Sequence, residues 1–303
     1  MEVAVGSELG IWQKQQSDAH VAECIAPNVT FLGVADGFGF AARGTSTAML
    51  ALGTVRDYLR RRQRLGALGA RSVSQGSMRA LLLSALDHAN ARLFAQSGSH
   101  EDFVGSGTSL TAVLVVGHHA FIGHVGDARA YLLRVGHVES LTVDDAMFAD
   151  AAVTSMKGSV PAKPRTRSLL WRSLGTQTKL EASIAQVELI AGDQLLLCTD
   201  GIHRCVDADE LGEAMQQSPT AADAVSLLLS TVRARGNVDN ATLIVGRDLL
   251  VPTLPSAGRD RLTEIKLRAL IALLMLATAL VSFGIYVLRF APVDRAGILT
   301  TDR

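Results

Sequence analysis

Cysteine is scarce in this chain of 303 residues: Cys24, Cys198 and Cys205 are all it has. An odd count with no metal-type spacing excludes a disulfide scaffold and fits a reducing compartment. Neither sign of charge is in excess, with 29 Lys+Arg against 29 Asp+Glu, which argues against a dedicated nucleic-acid binder; no nucleic acid is expected as partner. Internal repeats and long low-complexity tracts are missing. The first residues, MEVAVGSELGIWQKQQSD, lack a basic region, an apolar run and a small-residue cleavage site, so no secretory signal is expected. What remains is apolar: 48% of residues are hydrophobic, too many for a disordered protein and enough for a sizeable core.

One uncharged run stands apart. Residues 269–288, ALIALLMLATALVSFGIYVL, are long enough as a helix to span the roughly 30 Å hydrocarbon core of a bilayer. With only Thr278, Ser282 and Tyr286 as polar interruptions, a transmembrane helix is expected rather than a buried core helix. The stretch before it, DLLVPTLPSAGRDR, has two Pro and mixed charge and reads as a linker. The expected organisation is a domain over 1–248, a linker over 249–268, a transmembrane helix over 269–288 and a short tail over 289–303. Basic residues flank the run on both sides with a weak bias toward the domain side, so a single-pass membrane protein with a cytoplasmic domain is expected.

Short β-rich, turn-bounded segments predict strands at Val29–Ala35, Ser109–Val116, Ala120–His124, Ala130–Leu133, Gln194–Cys198 and Ala241–Val245. Helical periodicity covers Thr45–Arg62, Ser77–Gln96, Asp144–Met156, Asp207–Gln216 and Pro219–Arg235, with Asp207 and Ser218 as N-caps. The Arg-rich, Gly-containing stretch from Arg60 is read as a solvated connection between two helices. Strands and helices come in blocks, which points to an α+β domain of antiparallel sheets covered by helices.

Acidic residues fall where those strands end. Asp36-Gly37 ends VTFLGVADG, Gly126-Asp127 lies between FIGHV and RAYLLR, and Asp200-Gly201 ends DQLLLCTDG. Asp18 follows a polar segment and Asp239 precedes the last strand. Carboxylates at strand mouths beside glycine build hard oxygen sites for Mg²⁺ or Mn²⁺. Any one Asp-Gly pair taken alone reads first as a turn.

Taken in order, the words SD, VADGFG, GSGTSLTAVLV, GHVGDARAYLLR, LTVDDA, LLLCTDGI and DNATLIV resemble the metal-dependent protein phosphatases of type 2C, over nearly all of residues 7–247. The resemblance implies an α-β-β-α arrangement, a β-sandwich flanked by helices, with a centre of two Mn²⁺ or Mg²⁺ ions in a cleft at one end. It implies that Asp36 bridges the ions, that the Gly37 carbonyl supports one, that Asp200 and Asp239 bind the other, and that Asp18 holds a water of the centre. Asp127 with Asp200 would serve a third, weaker ion. Catalysis would then rest on Asp36, Asp200 and Asp18, with an activated water and no protein nucleophile. Cys198 reads as a small buried apolar residue.

The chain departs from the family pattern at several positions. Gln13 stands where a phosphate-binding Arg is usual and Ser17 where many members are acidic, which removes bidentate phosphate capture; Lys14 offers at most a point charge. Phe38, Gly39, Phe40 and Ala41 follow Asp36-Gly37, so a His acid is absent there. His203 could replace it, although an exposed helix-start residue is the first reading. His124 is expected to pack within its hairpin. Residues 144–175 resemble the family's flap, in which Arg172 either reaches phosphate or anchors the flap. Two functions follow: a membrane-tethered Ser/Thr phosphoprotein phosphatase opposing a kinase, or a degenerate phosphatase domain acting as a binding or regulatory module.

Overall fold

In a strand, successive side chains point to opposite faces, and two apolar faces demand two covers. Strand β3 (Val29–Phe38) sends Phe31 and Ala35 to one buried layer and Leu32 and Val34 to another. It lies inside a five-stranded antiparallel sheet that also contains β2 (Asp18–Ala26), β4 (Gly107–Val116), β5 (His119–Val125) and β10 (Ser183–Glu188), in the order β10-β5-β4-β3-β2. The second sheet runs β1-β12-β11-β6-β7, from β1 (Glu2–Glu8), β12 (Ala241–Arg247), β11 (Gln194–Cys198), β6 (Arg129–Arg134) and β7 (His137–Ser140). Strands are numbered in chain order. The computed structural model describes residues 2–39, 47–65, 74–99, 105–148 and 168–248.

Three apolar layers hold the sandwich together. Leu32, Val34, Val113, Ile122, Leu195, Leu197 and Ile244 fill the space between the sheets. Helices α1 (Thr47–Arg64) and α2 (Gln75–Ser99) cover the first sheet through Leu52, Leu59, Leu82 and Leu86 against Phe31, Leu114 and Phe121. Helices α4 (Ala208–Gln217) and α5 (Ala221–Ala234) cover the second through Leu211, Met215, Val225 and Leu228 against Leu196, Leu243 and Val245. Each such fully buried aliphatic side chain is worth about 1.5–3 kcal/mol of removal from water. The expected sandwich of antiparallel sheets flanked by helices is therefore present.

The central strands and four of the five predicted helices lie within a few residues of their predicted ends. The stretch from Arg60 is not a connection at its start: Arg60, Arg61, Arg62 and Arg64 belong to the last turns of α1, and residues 66–73 lie outside the described residues. Two further expectations are corrected. Residues 144–148 do not start a helix: Ala146–Phe148 forms β8, paired with β9 (Ser168–Leu170), where Asp144 and Asp145 are drawn into ion pairs that hold the chain in an extended path; residues 149–156 of the predicted helix lie outside the described residues. Ser218 does not cap α5. Its hydroxyl donates to the Ala214 carbonyl and closes α4, while Thr220 caps α5 in a reciprocal box with Asp223. A box needs an acid three residues on, which Thr220 has and Ser218 lacks. Asp207 caps α4 as expected, paired with Glu210. Among the described residues no helix is long and apolar enough to cross a membrane; the run 269–288 lies outside the described residues, as do the linker and tail.

Candidate active site

The alternation that builds the inner core also places the acidic residues. Past Leu32 and Val34, the next β3 residue on the inter-sheet face is Asp36, and past Leu195 and Leu197 on β11 it is Thr199. On β12, Ile244 shares that face with Thr242. Asp18 on β2 stands directly opposite Asp36 in the register, and Ser109 of β4 stands opposite it on the other side. The same end of the sandwich receives the β5–β6 turn with Asp127, the first residue of α3 (Asp200–His203), and Asp239 just before β12. All five sequence-predicted carboxylates thus converge where the two sheets open.

Their environment is hostile to charge. Asp18, Asp127 and Asp200 are each only 5% exposed. Burial, and then the charges of Asp18, Asp200, Asp239 and Asp127, hold the Asp36 carboxyl well above the usual range. Burial pushes Asp200 up to about 8, with Arg204 opposing and Asp127, Asp239 and Asp18 adding to the rise. Asp18 is pushed up to about 6, again mainly by burial, against the hydrogen bond from Thr199. That bond, from Thr199 Oγ1 to Asp18 Oδ2, is 2.7 Å long. Thr199 Oγ1 in turn accepts from the Thr242 N–H at 2.9 Å, so one buried hydroxyl ties both sheets to the carboxylate. The other oxygen of Asp18, Oδ1, and Oδ1 of Asp200 are buried with no hydrogen-bond partner.

Two glycines make the close approaches possible. Gly201 faces the Asn240 carbonyl so closely that a Cβ would run into it, which is why Asp200 can be followed by no larger residue. Gly126 sits at φ +100°, against Ser109, a backbone conformation that side chains resist. Asn240 itself accepts from Gly10 N–H and donates to Ser17 Oγ at 2.8 Å and to the Gln15 carbonyl, knitting residues 10–17 to the turn that carries Asp239.

The donor set fits a divalent cation: carboxylate oxygens are hard ligands, and the orphaned Oδ1 atoms of Asp18 and Asp200 are buried acceptors that a cation would satisfy. Among the described residues no group of three or more His, Cys, Asp or Glu side chains is arranged to hold a metal ion as it stands. Asp200 is paired with Arg204 and Asp239 accepts from Gln13.

Residues 13–243 match the family described as Protein phosphatase 2C. The chain belongs to that family. It is 34% identical over 173 residues to the serine/threonine protein phosphatase PstP of Mycobacterium tuberculosis, covering 56% of this chain. The chain spans about a third of PstP's length, 33%. The serine/threonine phosphatase stp of Listeria monocytogenes is 28% identical over 230 residues, 75% of this chain and 86% of stp. The solved catalytic domain of PstP, in complex with two manganese ions, superposes with a TM-score of 0.63 at 29% identity, over 80% of this chain and 96% of that one.

Within this phosphatase domain the departures from the family pattern have definite places. Gln13, exposed, donates from Nε2 to Asp239 Oδ1 at 2.8 Å; it holds a carboxylate instead of presenting a cation. Lys14 is exposed nearby in sequence, and Phe38 is exposed at the end of β3; Phe40 and Ala41 lie outside the described residues. His203 is not an exposed helix-start residue. It is half-buried, with Nε2 at 2.9 Å from the Asp127 carbonyl, and burial first, then Arg129, pushes its pKa down to about 4; as a neutral ring donating from Nε2 it fixes the Asp127 turn. His124 lies within its hairpin as expected, held between Thr111 Oγ1 and the Val143 carbonyl. Arg172 anchors the flap: its guanidinium pairs with Asp145 and reaches the Glu181 carbonyl at 3.1 Å. Asp145 clasps the Gly126 turn through its backbone N–H and its carboxylate, and Arg129 grips Asp144 with two bonds of 2.8 and 2.7 Å.

Sequence reasoning missed Thr199, Arg204, Asp145 and Asn240. Three of them sit inside quoted words, LLLCTDGI, LTVDDA and DNATLIV, where only the neighbouring aspartate drew a role. Cys198 is fully buried with its thiol pushed up by burial, consistent with packing and not nucleophilic use.

Proposed function

We propose that the domain hydrolyses phosphoserine and phosphothreonine on proteins, using two Mn²⁺ or Mg²⁺ ions held by Asp36, the Gly37 carbonyl, Asp200 and Asp239. The observation that carries this reading is the pair of buried, unpartnered carboxylate oxygens, Asp18 Oδ1 and Asp200 Oδ1, in a cluster where Asp36 feels four other carboxylates. A domain that only binds phosphoproteins has no physical need for so costly a cluster. Family membership and the manganese pair of PstP support the same reading.

When bound, such ions supply Lewis acidity and an activated water for phosphoryl transfer. The chain's own residues orient that chemistry. Thr199 fixes Asp18 through Oδ2, which would leave Oδ1 to orient a water. Gln13 holds Asp239 through Oδ1. The described ends of the flap, joined by the pair of Asp145 and Arg172, border the turn that carries Asp127. Substrates would be phosphoproteins made by a Ser/Thr kinase. The uncharged run 269–288 supports a single-pass tether that keeps the domain on the cytoplasmic face, near membrane-proximal substrates.

The test is Mn²⁺-dependent phosphate release from a phosphothreonine peptide by the full chain in detergent, beside Asp200→Asn and a chelator control. Turnover lost in both controls supports the proposal. Folded protein that binds Mn²⁺ and releases no phosphate favours the non-catalytic module, and restoring Arg at Gln13 would then show whether phosphate capture is the missing part.

A further inference from the structure

Arg204, the residue just past α3, puts a single guanidinium nitrogen between two acidic residues of the site. Its Nη2 lies 2.7 Å from Asp200 Oδ2, four residues earlier in the chain, and 3.4 Å from Asp127 Oδ2, on the β5–β6 turn. The Asp127 and Asp200 side chains are each 7% exposed, while Arg204 is 32% exposed, so the cation closes the pair from the rim. The oxygens divide cleanly: Oδ2 of Asp200 is taken by Arg204, and Oδ1 of the same carboxylate is buried and unpartnered. Asp127 is engaged twice, by Arg204 at its carboxylate and by His203 at its carbonyl.

These are the two carboxylates that family resemblance offers to a third, weaker ion. A divalent cation bridging the two Oδ2 atoms would have to displace the guanidinium that lies against them, and the positive charge there repels it. We infer that Arg204 is a built-in cation replacing that third ion, so that this chain binds one ion fewer than its carboxylates would otherwise hold. Asp127 then serves as Arg204's counter-charge instead of a metal ligand, and Asp200 faces the two-ion centre through Oδ1 alone. The inference rests on the proposed ion-binding reading, and its test separates the two.

Mn²⁺ uptake would be counted by native mass spectrometry and by titration calorimetry on the full chain in detergent. Arg204→Ala should take up one more Mn²⁺ per chain than wild type. Arg204→Lys, which keeps the charge, should not, and Asp127→Asn added to Arg204→Ala should remove the gain. Equal uptake by wild type and Arg204→Ala overturns the inference while leaving the two-ion reading intact. A wild type that binds no Mn²⁺ overturns the two-ion reading, and the inference then stands only if Arg204→Ala gains an ion. Should Arg204→Ala lose its near-ultraviolet circular dichroism, Arg204→Gln, of similar length and neutral, is scored in its place by the same criteria.

Discussion

A buried hydroxyl decides how much freedom the Asp18 carboxylate has. Thr199 donates to Asp18 Oδ2 and accepts from Thr242 N–H, and losing it would orphan a buried acceptor and a buried donor together, at about 1–3 kcal/mol each. Thr199→Val, nearly the same shape, should lower unfolding stability in urea by roughly that amount and weaken Mn²⁺ binding, whereas Thr199→Ser should retain both. An effect of Val no larger than that of Ser would show that the hydroxyl does not orient Asp18. This residue also marks the limit of reading residues from sequence: an aspartate beside a glycine at a strand end announces itself, but a threonine matters here only because a strand 43 positions further on brings Thr242 N–H to it. Arg204 escaped notice for the same reason, since one of its partners, Asp127, lies 77 positions away.

Among the elements, what could be read depended on where a strand sits in its sheet. Central strands β3, β4, β5, β6, β11 and β12 carry dense apolar runs because both faces are covered, and all six were legible. The edge strands β1, β2, β7 and β10 were not. β2 reads DAHVAECIA with exposed positions alternating through it, and an edge with one side open to water tolerates that composition. Helix starts followed local chemistry where that chemistry was counted fully. Asp207 with Glu210 closes a reciprocal box on α4, so Asp207→Ala should cost about 1 kcal/mol and leave Mn²⁺ binding unchanged. Thermal denaturation beside a metal titration checks both halves, and a loss of ion affinity would mean that α4 supports the site more directly than its packing on β7 and α5 indicates.

At the scale of the whole molecule, the carboxylate cluster makes stability depend on pH in a direction unusual for acidic groups. Asp18 and Asp200 have raised values, about 6 and about 8, and Asp36 is raised well above its ordinary range. The folded state therefore holds more protons than the unfolded one above the ordinary carboxylate range, and the stability this contributes is fully present near pH 4. It is lost as pH rises through about 6 and then about 8. Chelated protein should melt at a lower temperature at pH 8.5 than at pH 5.5. Added Mn²⁺ should reverse that order, because ions bind the deprotonated carboxylates and compete with protons. Melting temperatures that rise with pH in the presence of chelator would show that the cluster does not govern the profile.

The first strand of the second sheet pairs with the last, Glu2 with Arg247 and Glu8 with Ala241. A ribosome releases β1 long before β12 exists to receive it, so this sheet cannot close until the domain is almost wholly made. Asp239 leaves just ahead of β12, which means that the acidic cluster is completed in nearly the same moment as the fold. No shorter nascent chain can hold the finished site, and folding waits on a pairing that spans the length of the domain. In such an arrangement an unfinished copy lacks the assembled carboxylate cluster by construction, and the cluster exists only once the whole domain has emerged.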